Sequence, residues 1–160
     1  MAMSKEERKE YNRKWYGKNR EKVALKSKWT ELSYIAGFID GEGSIFVSLT
    51  NGKPHSLVVA VTNTNKAILE YCYNLFQVGH MNQNRRANFK HKIAWVWKTT
   101  GNGARKVLKH IYPFLRVKEN QAKLALAYPV HKTSKAFTEK EREKQLAIYE
   151  ALKILNKRGV

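Results

Sequence analysis

A single cysteine, Cys72, in 160 residues excludes a disulfide framework and a metal centre built from thiolates. The five histidines (His55, His80, His91, His110 and His131) are scattered, with neither HExxH nor zinc-finger spacing. No apolar run approaches the roughly 20 residues that a membrane-spanning helix needs, and no signal-peptide pattern opens the chain. Met1-Ala2-Met3 reads as a doubled start. These absences lead to the expectation of an intracellular, reduced, soluble protein with no membrane partner. Acidic residues are also scarce: 13 Asp and Glu face 31 Lys and Arg, for a formal net charge of +18. Such an imbalance repels itself in a folded chain and suits a polyanionic partner, nucleic acid ahead of an anionic membrane. The length fits one domain, and a hydrophobic content of 42% is enough for a sizeable core.

The chain is organised around residues 34–43, Tyr-Ile-Ala-Gly-Phe-Ile-Asp-Gly-Glu-Gly. Gly37, Gly41 and Gly43 accompany two acids, Asp40 and Glu42, in an otherwise apolar stretch. Glycine costs about 1 kcal/mol against alanine inside a helix, so its presence asks for a reason. Ala36, Gly37, Asp40 and Gly41 follow helical spacing, and Gly37 with Gly41 forms a pair of small residues one turn apart. Such a pair lets another helix approach closer than the usual ~8–10 Å. An acid at the mouth of that contact must be solvated, paired or bound to a metal. The stretch therefore predicts a helix–helix seam that delivers carboxylates to a cation.

Upstream, residues 1–30 carry ten Lys and Arg against four Glu, a net of +6. Ser4 and Glu7 form a capping-box pattern, Tyr11 and Trp15 share a helical face, and Gly17-Lys18-Asn19 interrupts the pattern. A basic arm that tracks phosphates, with aromatics that stack or wedge, is expected there. The motif helix should start near Thr30 or Ser33 and end at about Asp40. Alternation then predicts a strand over 44–50, with Ile45, Val47 and Leu49 on the core face. Asn51-Gly52 predicts a hairpin, and the return strand spans 56–62 with Leu57, Val59 and Val61 inward. A helix over 64–77 follows, capped by Asn65 and ended by Gly79. Strands are predicted over 80–86 and 93–99, joined by a turn at 87–91, with Trp95 and Trp97 left open between core and outer face. Helices over 104–112, 118–128 and from Thr138 to a stop at Gly159 complete the chain, the last opening with a Thr138–Glu141 capping box.

This order implies an α+β fold: a four-stranded antiparallel sheet with helices on one face and a polar, basic face opposite. A twisted antiparallel ribbon of that kind fits a DNA major groove and presents alternate side chains to base edges.

Ile35-Ala-Gly-Phe-Ile-Asp-Gly-Glu-Gly43 closely resembles the motif that names the LAGLIDADG homing endonucleases. Glu42-Gly-Ser-Ile, Val61-Thr-Asn63, Tyr112-Pro-Phe-Leu-Arg-Val-Lys118 and Gln121-Ala122 also stand in that family's order, so the resemblance covers roughly Thr30 to Tyr128. It implies an αββαββα core over 31–130, between a basic arm (1–30) and a C-terminal helical extension (131–160). One motif copy is similar to the single-motif members that work as homodimers. Their motif helices would pack across the two-fold axis through Ala36, Gly37, Asp40 and Gly41, and each saddle-shaped sheet would cover half of a long pseudo-palindromic DNA site.

The resemblance also implies roles. Glu42, with the carbonyl of Gly41, would bind Mg²⁺ (Mn²⁺ or Ca²⁺ as substitutes) beside a scissile phosphate across the minor groove, and most relatives carry Asp where Glu42 stands. Asp40, the first motif acid, would be structural. Lys118 would be the lysine that positions water and offsets charge, Asn63 the amide that positions the nucleophilic water, and Lys66 a further basic residue. The DNA face would hold Ser44, Phe46, Ser48, Thr50, Ser56, His80, Asn82, Asn84, Arg85 and Arg86. The implied function is a site-specific double-strand DNA endonuclease encoded in a mobile intron, in a chloroplast, a mitochondrion or a prokaryotic cytoplasm. The alternative is an intron maturase that binds its own intron RNA on the same scaffold.

Overall fold

The structure, a computed structural model, describes residues 4–84, 92–130 and 136–157, and within the first helix the side chains of Tyr16 and residues 18–27 lie outside the description. The first helix, α1, runs from Lys5 to Glu42. The Ser4–Glu7 capping box is formed: the Ser4 amide donates to the Glu7 carboxylate at 2.7 Å, and the Glu7 amide to the Ser4 hydroxyl at 3.2 Å. Contrary to the sequence expectation, Gly17-Lys18-Asn19 does not break the helix. One glycine costs a helix about 1 kcal/mol, which a run of 38 residues tolerates.

At its other end α1 passes directly into strand β1 (Gly43–Thr50). The Gly43 amide donates to the Ile39 carbonyl, and a Cβ at Gly43 would lie 2.7 Å from that oxygen. Only glycine lets the strand start so close to the helix it leaves. Strand β2 (Lys53–Asn63) returns antiparallel, with Gly43 opposite Val61 and Ser44 opposite Ala60. The connecting Asn51 (φ 50°) and Gly52 (φ 74°) both adopt the left-handed conformation of a type I′ turn. A bulge between Ser48 and Leu49 shifts the register, so Leu49 pairs with Pro54 and is 45% exposed rather than in the core.

Helix α2 (Lys66–Phe76) is capped by the Asn65 side chain, as its sequence predicts, but Gln77, at φ 52°, ends it instead of Gly79. Strand β3 (His80–Gln83) stops before Asn84, and Arg85 and Arg86, expected to extend it, lie outside the described residues. Strand β4 (Trp95–Thr100) follows, then helix α3 (Gly101–Ile111), a 3₁₀ turn (Tyr112–Phe114), α4 (Glu119–Ala127) and α5 (Glu139–Leu155). The predicted stop of the last helix, Gly159, lies outside the described residues.

The sheet is antiparallel throughout, in the order β1-β2-β4-β3. One face carries Ile45, Val47, Leu57, Val59, Val61 and Trp97 into a single core with all five helices. Trp97 stacks on Phe76 at 6.0 Å and donates its indole N–H to the Val78 carbonyl at 3.1 Å. Both tryptophans of β4 are thus on the helix side, Trp97 buried and Trp95 half-buried. Helix α5 belongs to that core through Ile148 and Leu152, and its C-cap Asn156 donates to the Ile45 carbonyl at 2.9 Å. Among the described residues no helix is long and apolar enough to cross a membrane.

Burial pushes the Cys72 thiol up to about 12 and the Tyr128 phenol up to about 12. Both groups hold their proton more tightly folded than unfolded, so neither changes stability below pH 9, and both subtract from it as pH rises toward 12. The native protein should therefore resist a thiol-specific disulfide reagent at neutral pH until urea unfolds it, and its urea midpoint should fall steadily above pH 9. Rapid labelling of the folded chain would place Cys72 outside the core.

Candidate active site and nucleic-acid face

The two motif acids do different work. Asp40, half-buried in the last turn of α1, accepts from three successive amides of the segment before α4. Its Oδ2 takes those of Arg116 (2.7 Å) and Val117 (3.3 Å), and its Oδ1 takes that of Lys118 (2.9 Å). The Lys118 ammonium donates in return to the Asp40 carbonyl, an oxygen at the helix end. A carboxylate that receives several amides is strongly held. Asp40 therefore acts inside its own chain, as a bracket that fixes Lys118 at the carboxyl end of α1. Glu42, two residues on, is exposed.

The sheet register brings Asn63 toward the same end, because Val61 is opposite Gly43 and Asn63 lies two residues beyond. Its Oδ1 accepts the Asn65 amide at 2.8 Å, which starts α2 and leaves the Nδ2 donors as its other polar group. Gly41 and Glu42 thus end α1, Lys118 is bonded to the Asp40 carbonyl of that same turn, and Asn63 ends the strand that pairs with the start of β1. The Lys66 ammonium pairs with Glu70 at 2.7 Å and sits 4.9 Å from the centroid of the Trp95 ring, the residue opposite Asn63 in the sheet.

The seam residues separate as well. Gly37 and Gly41 are exposed, and a Cβ at either would meet nothing within 4 Å. Ala36, expected beside them, is fully buried among core residues of its own chain, because helical rotation turns it inward with Ile35 and Ile39. The open stripe of this helix is Ser33, Tyr34, Gly37 and Gly41.

On the sheet face away from the helices, Ser44, Thr50, His80, Asn82 and Asn84 are exposed, and Phe46, Ser48 and Ser56 are half-buried. Arg85 and Arg86 lie outside the described residues. The register adds residues that the sequence reading missed: Ala60, Lys98 and His80 form one row across β2, β4 and β3, and Thr62, Val96 and Asn82 the next. Lys98 is the notable omission, a cation midway across this face. Placing both Trp95 and Trp97 inward would have found it, since alternation then sends Val96, Lys98 and Thr100 outward. Val58 is fully buried and stands opposite Phe46 and Thr100 in the rows of this outer face, apart from the helix-side core.

Among the described residues no three His, Cys, Asp or Glu side chains cluster as a metal site. The donor chemistry at the end of α1 nevertheless suits a hard cation: an exposed carboxylate and backbone carbonyls at the negative pole of a helix. One chain supplies only part of a coordination shell.

A helix that ends in an exposed acid, beside a polar sheet face, offers a site for a hard cation next to a surface that suits a nucleic acid. The chain belongs to the LAGLIDADG endonuclease family, whose model matches residues 35–128. No curated protein matches it by sequence at a significant level. Among solved structures, it is similar to the homing endonuclease I-CvuI in complex with its target in the presence of 2 mM Ca, with 16% identity over 84% of this chain and 86% of that one, at a TM-score of 0.65. The archaeal intron-encoded homing endonuclease I-Vdi141I, complexed with DNA, aligns over 82% of this chain and 87% of its own, with 18% identity and a TM-score of 0.62. The I-LtrWI LAGLIDADG homing endonuclease, bound to target DNA, is 26% identical over 73% of this chain and 42% of its own, at a TM-score of 0.52.

Replacing Asp40 by Ala would leave three amides without their acceptor. The contacts are partly solvated, so the expected loss is about 1–2 kcal/mol of unfolding free energy, measured by urea titration. An unchanged midpoint would mean that the bracket contributes nothing net.

Proposed function

We propose that the chain is a site-specific, double-strand DNA endonuclease of the homing type, encoded in a mobile intron, that works as a homodimer with a divalent cation, Mg²⁺ foremost. The observation that carries this reading is the division between the two motif acids: Asp40 is taken up by three amides, while Glu42 stands exposed at the end of the same helix. Glu42 and the Gly41 carbonyl would hold the cation, and the partner copy and a DNA phosphate would supply the remaining oxygens. When bound, a hard cation supplies an activated water and charge stabilisation for the leaving oxygen. Lys118, moored to the Asp40 carbonyl, would keep a positive charge beside the phosphate under attack. The Nδ2 donors of Asn63 would orient a water at the same end. Ser44, Ser48, Lys98, His80 and Asn82 would face the groove, where alternate strand residues meet base edges and phosphates.

The single motif copy supports the homodimer, as does the open space over Gly37 and Gly41, which would admit a second helix backbone. Two exposed Glu42 side chains would then lie on the dyad, one for each strand of a pseudo-palindromic duplex. A cleavage selection over a randomised or genomic DNA library with Mg²⁺ tests the reading and returns the target; a library that stays intact would overturn it.

Glu42→Gln keeps the shape and removes the charge, so cleavage should fall on the order of a thousand-fold while target binding stays within a few-fold in a gel-shift assay. Unchanged cutting would remove Glu42 from the site. Gly37→Leu has room in the isolated chain and should keep its helical circular dichroism, yet sediment as a monomer and lose cleavage. A dimer that persists in this variant would place the seam on another surface.

A further inference from the structure

The amino-terminal length of α1 is unlike the rest of the molecule. Residues 4–15, Gly17 and residues 28–30 are exposed, and the first buried side chain described in the helix is Leu32. Steps of 100° per residue gather Lys5, Arg8, Lys9 and Arg13 in an arc of about 140°, with Glu6 at its edge beside Arg13 and with Glu7, Glu10 and Lys14 on the far side. Two of those acids have local partners. Glu7 closes the capping box, and Glu10 pairs with Lys14 at 3.0 Å. Tyr11, 57% exposed, and Trp15, 44% exposed, border one edge of the basic side, next to Arg8. Among the described side chains of this stretch none is buried, and the net charge of +6 over residues 1–30 matches a polyanion.

Position decides which polyanion. At 1.5 Å per residue, Lys5 to Arg13 stand about 40–55 Å along the helix axis from Glu42. We infer that this basic face is a second DNA-binding element, which holds a duplex other than the one at the Glu42 end. The inference rests on the proposed homodimer. With both Glu42 side chains at one duplex and the motif helices meeting at Gly37 and Gly41, the two amino-terminal lengths leave on the opposite side. Basic helices continuing from a two-fold seam have the geometry with which dimers straddle a major groove. The arm thus takes a different duplex from the cleavage target whose phosphates it was expected to track. Its contacts are phosphate-directed and largely indifferent to sequence.

The test saturates the full chain with the target recovered by selection, in EDTA so that nothing is cut. A fluorescent duplex of unrelated sequence is then added, and complexes are resolved by sedimentation. The full chain should carry both duplexes. A chain lacking residues 1–28 should bind target within about twofold but capture no second duplex. The combined variant Lys5→Gln, Arg8→Gln, Lys9→Gln, Arg13→Gln, which keeps helix-compatible side chains, should lose capture at least tenfold. If each of the four cations on both arms of the dimer neutralises one phosphate, raising salt from 50 to 200 mM should weaken capture on the order of ten-thousand-fold. Target binding without second-duplex capture by the full chain overturns the inference alone, as does undiminished capture by the truncated chain. Tenfold tighter capture of an RNA hairpin overturns the assignment to DNA. Failure to bind the target overturns the endonuclease reading, and this inference with it.

Discussion

The site depends on one carboxylate accepting three amides. Asp40 is the last acid in α1 before the free one, and its bonds to Arg116, Val117 and Lys118 tie the end of the first helix to the start of α4. The tie spans more than 70 positions of sequence, so it joins parts of the chain that no local preference would bring together. Its return bond, from the Lys118 ammonium to the Asp40 carbonyl, sets a cation against the negative pole of the helix. Without the bracket the strand would still leave at Gly43, but Lys118 would have no fixed relation to Glu42. The interaction is modest in energy and decisive in placement.

The remainder of the molecule supports that junction. Gly43 lets β1 start against Ile39, the β1–β2 register brings Asn63 to the same end, and α5 holds β1 from outside through Asn156. Most large apolar residues of the sheet turn to one side, where Trp97 and Phe76 stack, while Phe46, Val58 and Val96 stand in the rows of the other face. The opposite face mixes those apolar residues with Ser44, Ser48, Ser56, Thr62, His80 and Asn82, with Lys98 in its interior. One helix also connects two electrostatic environments. Its carboxyl end presents an isolated acid, and its amino-terminal length presents a basic side roughly ten turns' worth of sequence away.

Much of this was legible in the chain itself. Period-two alternation predicted both strands of the first hairpin, Asn51-Gly52 its turn, and two capping boxes the starts of α1 and α5. These signals are local, and the physics that produces them acts within a few residues. The errors have local limits as their cause. Gly17 looked like a break because glycine is a poor helix former, yet a long helix absorbs one such cost. Ala36 looked like a seam residue because it is small, but the rotation of α1 on its own core turns it inward. Leu49 fell outside the core because a bulge, invisible in the alternation, shifts its register. The facing of Trp95 and Trp97 needed the helices above them to be placed.

The amino-acid sequence alone therefore determined the elements, their order, the family motif, the excess of positive charge and the identity of the acids. Those properties depend on composition and on near neighbours along the chain. Tertiary structure alone decided which acid was free, which lysine bonded the end of its helix, which strand residues lined the open face, and how far the basic length of α1 lay from that end. Each is a distance between segments remote in sequence, set by packing and register, and no reading of adjacent residues contains it.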